Sequence, residues 1–338
     1  MKRASQKLHE AVDRLAGARV GVVGDLVADL YVSGLSDRVS REAPVLIVRY
    51  EREWLRPGGA ANVAANLAAL GAHVHVVGLV GEDPAGRGLI ENLRGMRPDG
   101  TMNCERIVVT PGRETITKTR FLAGAKLTSR QQVLRLDRQP TSPPGTRLQA
   151  DLCERIRRVD GQVDAWIASD YGYGLFDDSI RDLLREIAGR KCVMADSRWE
   201  LHRFTGMTVV KPNEEEAEEL GRRFAISELD VGKLAECLVR KLQARSVLIT
   251  LGNEGMVLAT DGIVARIEAS GGDEIVDLTG AGDSVAATLV AAMASGADIE
   301  TAARLANHAG GVVVMKEGAA TVSPAELREA VDRAEAGA

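Results

Sequence analysis

The chain has 338 residues, 45% of them hydrophobic, 27% charged and only 3% aromatic, with a formal net charge of -5. That size and balance fit one large soluble α/β domain or two smaller ones, and the acidic total argues against a nucleic-acid or membrane-surface binder. Cys104, Cys153, Cys192 and Cys237 are scattered, with no apolar leader or membrane-length run, so we expect no zinc site, no disulfide framework and a cytoplasmic location.

An amphipathic helix is predicted over residues 6–16, and a short buried strand over 19–25 ends in a turn. Asp25 and Asp29 are expected at the C-terminal end of that parallel strand, the edge where open α/β sheets bind ligands. Alternating stretches at 30–34 and 45–53 carry charged outer positions and predict a small, partly exposed sheet. Pro57-Gly58-Gly59-Ala60-Ala61-Asn62 then opens an Ala-rich helix that stops at Gly71. Paired glycines let the backbone approach a ligand, with Asn62 in reach to hydrogen-bond it; tight packing of helix on strand would ask for small residues too. His73 and His75 alternate along the next strand and read as its polar face.

Residues 112–138 alternate polar and apolar side chains and are locally basic. Arg113, Lys118, Arg120, Lys126, Arg130, Arg135 and Arg138 stand against Glu114 and Asp137. In an acidic chain this suggests a β-sheet lid, formed with the strands near 30–53, whose inward cations neutralise a phosphorylated substrate. For any single residue a solvated strand face explains the charge equally well.

From residue 146 helices near 147–158, 178–188 and 226–242 alternate with apolar strands at 163–168, 191–195, 207–210 and 246–251, the pattern of a parallel sheet with crossover helices. The strands end in Ser169-Asp170-Tyr171, Asp196-Ser197-Arg198, Lys211-Pro212-Asn213 and Thr250-Leu251-Gly252, which points to one crevice fed by every turn. Asn213-Glu214-Glu215-Glu216 suits a helix N-terminus, and Glu216 could equally hold the water shell of Mg²⁺.

A β-rich stretch from Gly255 to Glu268 leads to Asp277-Leu278-Thr279-Gly280-Ala281-Gly282-Asp283-Ser284 and an Ala-rich helix. Two glycines two apart, at a helix start, make an amide-lined anion hollow. Asp283 would repel an anion there unless it removes a proton from a substrate hydroxyl. A Gly-rich turn with a capping Asp is the plain alternative. Further helices are predicted near 285–294, at 300–315 and from Ser323-Pro324, and there is no G-x-x-x-x-G-K-[ST] phosphate loop.

In this order the two glycine motifs and the strand-end clusters resemble the ribokinase (PfkB) superfamily of sugar kinases over nearly the whole chain. The resemblance implies a single ribokinase-like α/β domain over 1–338, with a mostly parallel central sheet, flanking helices and the lid strands at about 30–53 and 112–138 inserted. It also implies ATP and Mg²⁺. Asp283 matches the catalytic base, and Gly280, Ala281 and Gly282 match the anion hole. Asn213 and Glu216 match an N-x-x-E motif that organises Mg²⁺ through water. Thr250, Gly252 and Gly255 match nucleotide contacts, and Asn307 the adenine pocket. Asp277 and Thr279 match a K⁺ site in many members, and Asp29, Gly58, Gly59 and Asn62 match sugar contacts. Asp25, Asp170, Lys118, Arg120 and Arg135 complete the expected acceptor site.

Ser40-Arg41-Glu42-Ala43-Pro44, Arg56-Pro57-Gly58-Gly59-Ala60-Ala61-Asn62, Thr115-Ile116-Thr117-Lys118-Thr119-Arg120 and Ser169-Asp170-Tyr171 are similar to the D-glycero-D-manno-heptose 7-phosphate kinases. Tyr173 stands where that group usually has Lys, and Asp196-Ser197-Arg198 replaces a usual Asp-Pro-Lys. The expected reaction is transfer of the ATP γ-phosphoryl to O1 of heptose 7-phosphate, with a kinase of another sugar, fructose phosphate or nucleoside, or a non-catalytic sensor, as rivals. Bifunctional relatives continue into a nucleotidyltransferase domain, and the end at Ala338 leads us to expect the kinase activity alone. Pairing through the lid sheet predicts a homodimer.

Overall fold

The structure, a computed structural model, describes residues 2–97, 99–126, 129–227, 230–260, 262–271 and 276–336. β1 (Arg19–Gly24) lies inside a ten-stranded sheet, with Val20 and Val22 in the core of one face and Val23 in that of the other. It pairs in parallel with β4 (His73–Gly81) and β9 (Ala165–Asp170). The parallel run continues through β10 (Cys192–Ser197), β11 (Val209–Val210) and β12 (Ser246–Thr250), and an antiparallel hairpin of β13 (Met256–Thr260) and β14 (Ile263–Ile267) ends it. Beyond β4 lie β5 (Met102–Asn103) and β6 (Ile107–Thr110).

One apolar face is covered by α1 (Lys2–Arg14), α2 (Ala60–Ala69), α3 (Pro84–Met96), α8 (Ala281–Ala294), α9 (Ile299–Val313) and α10 (Pro324–Ala336). The other is covered by α4 (Thr146–Asp160), α5 (Asp178–Ala188), α6 (Glu214–Arg223) and α7 (Val231–Leu242). This is the expected ribokinase-like α/β arrangement with parallel strands buried on both faces. Among the described residues no helix is long and apolar enough to cross a membrane.

β3 (Leu46–Gly59), β2 (Leu26–Val39), β7 (Ile116–Gly124) and β8 (Gln131–Arg138), in that order, make a smaller separate sheet, the one expected to serve as a lid and called the lid below. Register puts Arg56, Asp29, Lys118 and Asp137 in one row across it, and Trp54, Tyr31, Arg120 and Arg135 in the next row on the same face. The opposite face carries Val32, Phe121 and Leu134 in line.

Several boundaries differ from the sequence reading. The first helix runs over 2–14, not 6–16. The lid strands expected at 30–34 and 45–53 are longer, because register shifts at Ser33/Gly34 and Ser36/Arg38 absorb irregular positions that would otherwise end a strand. Asp29 therefore sits inside β2, opposite Arg56 and Lys118, and not at the end of the parallel strand where it was expected. The last crossover helix starts at Val231, where Asp230 accepts the amides of Gly232 and Lys233, and not at 226. β5, β6 and α3 have no counterpart in the sequence reading.

Candidate active site

The carboxyl ends of five parallel strands converge on one crevice. Asp25 follows β1, Asp170 ends β9, Asp196 lies in β10, Lys211 follows β11 and Thr250 ends β12. α8 enters the same crevice from the opposite side. Its N-cap, Gly280, has φ 80°, a left-handed conformation that favours glycine, and a Cβ there would also lie 2.7 Å from the Asn62 amide nitrogen. Among the described residues the amides of Gly282 and Asp283 have no hydrogen-bond acceptor, whereas the Ala281 amide donates to Leu278 O. First-turn amides without partners, at the positive end of a helix dipole, suit an anion.

Asp283 is buried in the first turn of α8, and both its oxygens accept hydrogen bonds. Asn62 Nδ2 donates to Oδ2 at 2.6 Å and the Tyr171 hydroxyl donates to Oδ1 at 2.9 Å. Burial pushes its pKa up to about 6, with Asp196 adding to the rise while Asn62, Tyr171 and Lys211 oppose it. Asn62 is held in turn by α2, whose Asn66 donates to Asn62 O at 2.9 Å and accepts from Ser284 Oγ at 2.6 Å.

Asp25 and Asp170, expected as substrate ligands, both accept hydrogen bonds from the protein itself. Asp25 Oδ2 accepts the amides of Tyr171 (2.9 Å) and Tyr173 (3.3 Å), and Asp170 accepts Gly172 N (2.9 Å) and Ser197 Oγ (2.7 Å). Together they fix the turn that carries Tyr171. Burial, reinforced by Asp170, lifts the Asp25 pKa to about 7. Gly58 and Gly59 permit close approach, since a Cβ on Gly58 would lie 2.4 Å from Asp29 Oδ2 and Gly59 has φ 57°.

On the lid, Arg120 is ion-paired with Asp29 over the Tyr31 ring. Arg135, on the same face, is half exposed and binds its strand neighbour Asp137 at 2.9 Å. Lys118 is different. Its ammonium lies 5.5 Å from the centroid of the Tyr171 ring and makes no hydrogen bond or ion pair among the described residues. Burial lowers its pKa, with Asp29 opposing.

A cleft of about 440 Å³ opens on the far side of the glycine turn, with Thr250, Gly252, Gly255, Ser270, Gly282 and Asn307 in its lining. Two of these work on the wall itself. A Cβ on Gly255 (φ 89°) would meet Ile267 O at 2.0 Å, and Asn307 Nδ2 donates to Glu268 O at 2.8 Å. Asn213 and Glu216 form a reciprocal capping box, in which the Glu216 amide donates to Asn213 Oδ1 (2.8 Å) and the Asn213 amide to Glu216 Oε2 (2.9 Å). Among the described residues Oε1 accepts no hydrogen bond, and burial together with Asp196 raises the Glu216 pKa. A carboxylate oxygen is a hard donor of the kind Mg²⁺ takes. Asp277 serves as a clasp, accepting the amides of Thr279 (2.8 Å) and Gly318 (2.9 Å). Tyr171, Asp196 and Lys211 were not singled out from sequence as site residues; their place at strand ends was the one available signal.

Residues 18–154 and 177–326 match the description pfkB family carbohydrate kinase. The chain belongs to this family. It is therefore a phosphotransferase that acts on a sugar, with ATP use implied by the family. It is 40% identical over 331 residues to the bifunctional protein HldE of Paramagnetospirillum magneticum, covering 96% of this chain and 66% of that protein. The HldE of Pseudomonas aeruginosa is 36% identical over 326 residues, covering 96% and 66%. This pfkB-family chain thus spans just under two thirds of the length of those relatives. Among solved structures, Arabidopsis thaliana ribokinase complexed with ribose and ATP has a TM-score of 0.67 at 18% identity, covering 93% of this chain and 98% of that one. Escherichia coli phosphofructokinase-2 in complex with potassium has a TM-score of 0.71 at 17% identity, covering 94% and 99%. At these identities the two structures bear on the fold alone.

Proposed function

We propose that this kinase transfers the γ-phosphoryl group of ATP to a hydroxyl of a sugar that already carries a phosphate, most simply O1 of D-glycero-D-manno-heptose 7-phosphate. The observation that carries this reading is Lys118, a partly buried cation with no hydrogen bond or ion pair among the described residues, set over the Tyr171 ring whose hydroxyl touches Asp283. An anionic acceptor held by Lys118 would present its far end to the base. Similarity to the HldE relatives supports heptose 7-phosphate within that class. A panel of sugars and sugar phosphates assayed with ATP, with product position read by phosphorus NMR, tests it. Turnover of unphosphorylated acceptors alone rejects the reading.

In this mechanism Asp283 takes the acceptor proton as the hydroxyl oxygen attacks the γ-phosphorus and the bond to the ADP oxygen breaks. The amides of Gly282 and Asp283 receive the phosphoryl oxygens. Asn213 and Glu216 would hold the water shell of Mg²⁺, which neutralises phosphate charge when bound. A potassium ion at Asp277 and Thr279 would have to share carboxylate oxygens that already accept two amides.

Because the base must be ionised, the rate should fall as pH drops through about 6. Tyr171 stabilises the ionised form by its hydrogen bond, so Tyr171→Phe should move the acid limb of the pH–kcat profile to higher pH. At pH 8 the loss should stay between about 10- and 150-fold, because one hydrogen bond to a charged group contributes about 1.5–3 kcal/mol. An unmoved limb would exclude Tyr171 from the site of proton transfer.

The outer lid face supports a homodimer. Leu134 is 57% exposed and Leu136 45% exposed, on a strand open at the sheet edge. Leu134→Glu should convert a dimer to a monomer in analytical ultracentrifugation, and an unchanged mass would remove this interface.

A further inference from the structure

Lys211 follows β11 and comes to the same edge as Asp25, Asp170, Asp196 and Thr250. Its side chain is only 5% exposed, and Nζ lies 2.9 Å from Asp196 Oδ2. A Cβ built on Gly282 would sit 3.6 Å from the same Nζ, so the ammonium rests against the glycine turn whose amides lack partners. Burial works against its charge, yet Asp196, Glu216 and Asp283 together outweigh that and raise its pKa. A buried ion pair stabilises a fold poorly, because desolvation offsets the attraction. The same cation beside an amide-lined hollow acts strongly on charge that develops during a reaction.

We infer that Lys211 is a catalytic residue, whose ammonium turns from Asp196 to the phosphoryl group in transit and holds its oxygens beside the amides of Gly282 and Asp283. This rests on the kinase mechanism proposed above. Lys211 keeps its protons throughout; the one proton that moves goes from the acceptor hydroxyl to Asp283, while the phosphorus–oxygen bond to ADP breaks and the bond to the acceptor forms.

The test compares the wild-type chain with Lys211→Met and with Lys211→Met combined with Asp196→Asn. In each, kcat is measured, as is the affinity for ADP alone and for ADP with aluminium fluoride, a mimic of the phosphoryl group in flight, in the presence of Mg²⁺ and acceptor. The expected result is a fall in kcat of about 10²-fold or more, with the fluoride complex weakened to a similar degree and ADP alone bound as in the wild type. The double variant should show the same losses. If it recovers wild-type turnover, Lys211 only neutralises Asp196 and the inference is overturned; equal weakening of ADP and its fluoride complex overturns it as well. The double variant leaves no unpaired carboxylate at 196, so it carries the test if the single variant fails to fold. Asp283→Asn with near-normal turnover, beside a selective loss in Lys211→Met, would reject the base and leave Lys211 standing.

Discussion

Replacing Asp283 by Asn is expected to lower kcat by about 10²-fold or more, the range in which a positioned general base acts, with little change in nucleotide affinity. The substitution keeps the shape of the side chain and an oxygen for the Asn62 amide, which now donates at 2.6 Å. What it removes is basicity. The cleft proposed for the nucleotide lies on the other side of the glycine turn, lined by Thr250, Ser270 and Asn307, none of which bonds to Asp283. Steady-state kinetics with calorimetric titration of ATP separates the two effects. Near-normal turnover would withdraw the base assignment.

The second large effect is expected at Lys118. A hydrogen bond between charged groups contributes about 2–3 kcal/mol when partly buried, so Lys118→Met should lower kcat/KM for a phosphorylated acceptor by roughly 30- to 150-fold. The loss should fall mainly in the acceptor KM, since Lys118 touches the ring of Tyr171 and not the base itself. Folding should change little, because no ion pair among the described residues is broken. Arg120 would be a poorer probe. Its removal strands the buried Asp29 carboxylate and mixes lost binding with lost stability. Equal kcat/KM for wild type and Lys118→Met would remove the argument for an anionic acceptor.

The parallel sheet was legible because its strands are apolar runs bounded by polar turns, and periodicity reports that directly. The glycine turn before Asp283 was legible too, since Gly280 takes the left-handed φ of 80° that favours glycine, although Gly282 does not. Roles fixed by tertiary geometry were hidden. Arg120, Arg135 and Lys118 are all basic in the sequence, yet Asp29 binds the first and Asp137 the second, while the third has no ion pair among the described residues. Asp25 and Asp170, expected as substrate ligands, also hold backbone amides of the turn that carries Tyr171, which periodicity does not report. Tyr171 was hidden because the contact with Asp283 joins residues 112 positions apart.

β1 passes into β2 through the single residue Asp25, and β3 runs into α2 with no residue between Gly59 and Ala60. The Ala60 amide binds Asp25 O at 3.0 Å, which ties these two junctions together. The joint between lid and body is thus made from the stretch that would cradle the acceptor. One short stretch of backbone therefore sets both the seating of the smaller sheet on the body and the shape of the proposed cradle, so neither can shift while the other stays put.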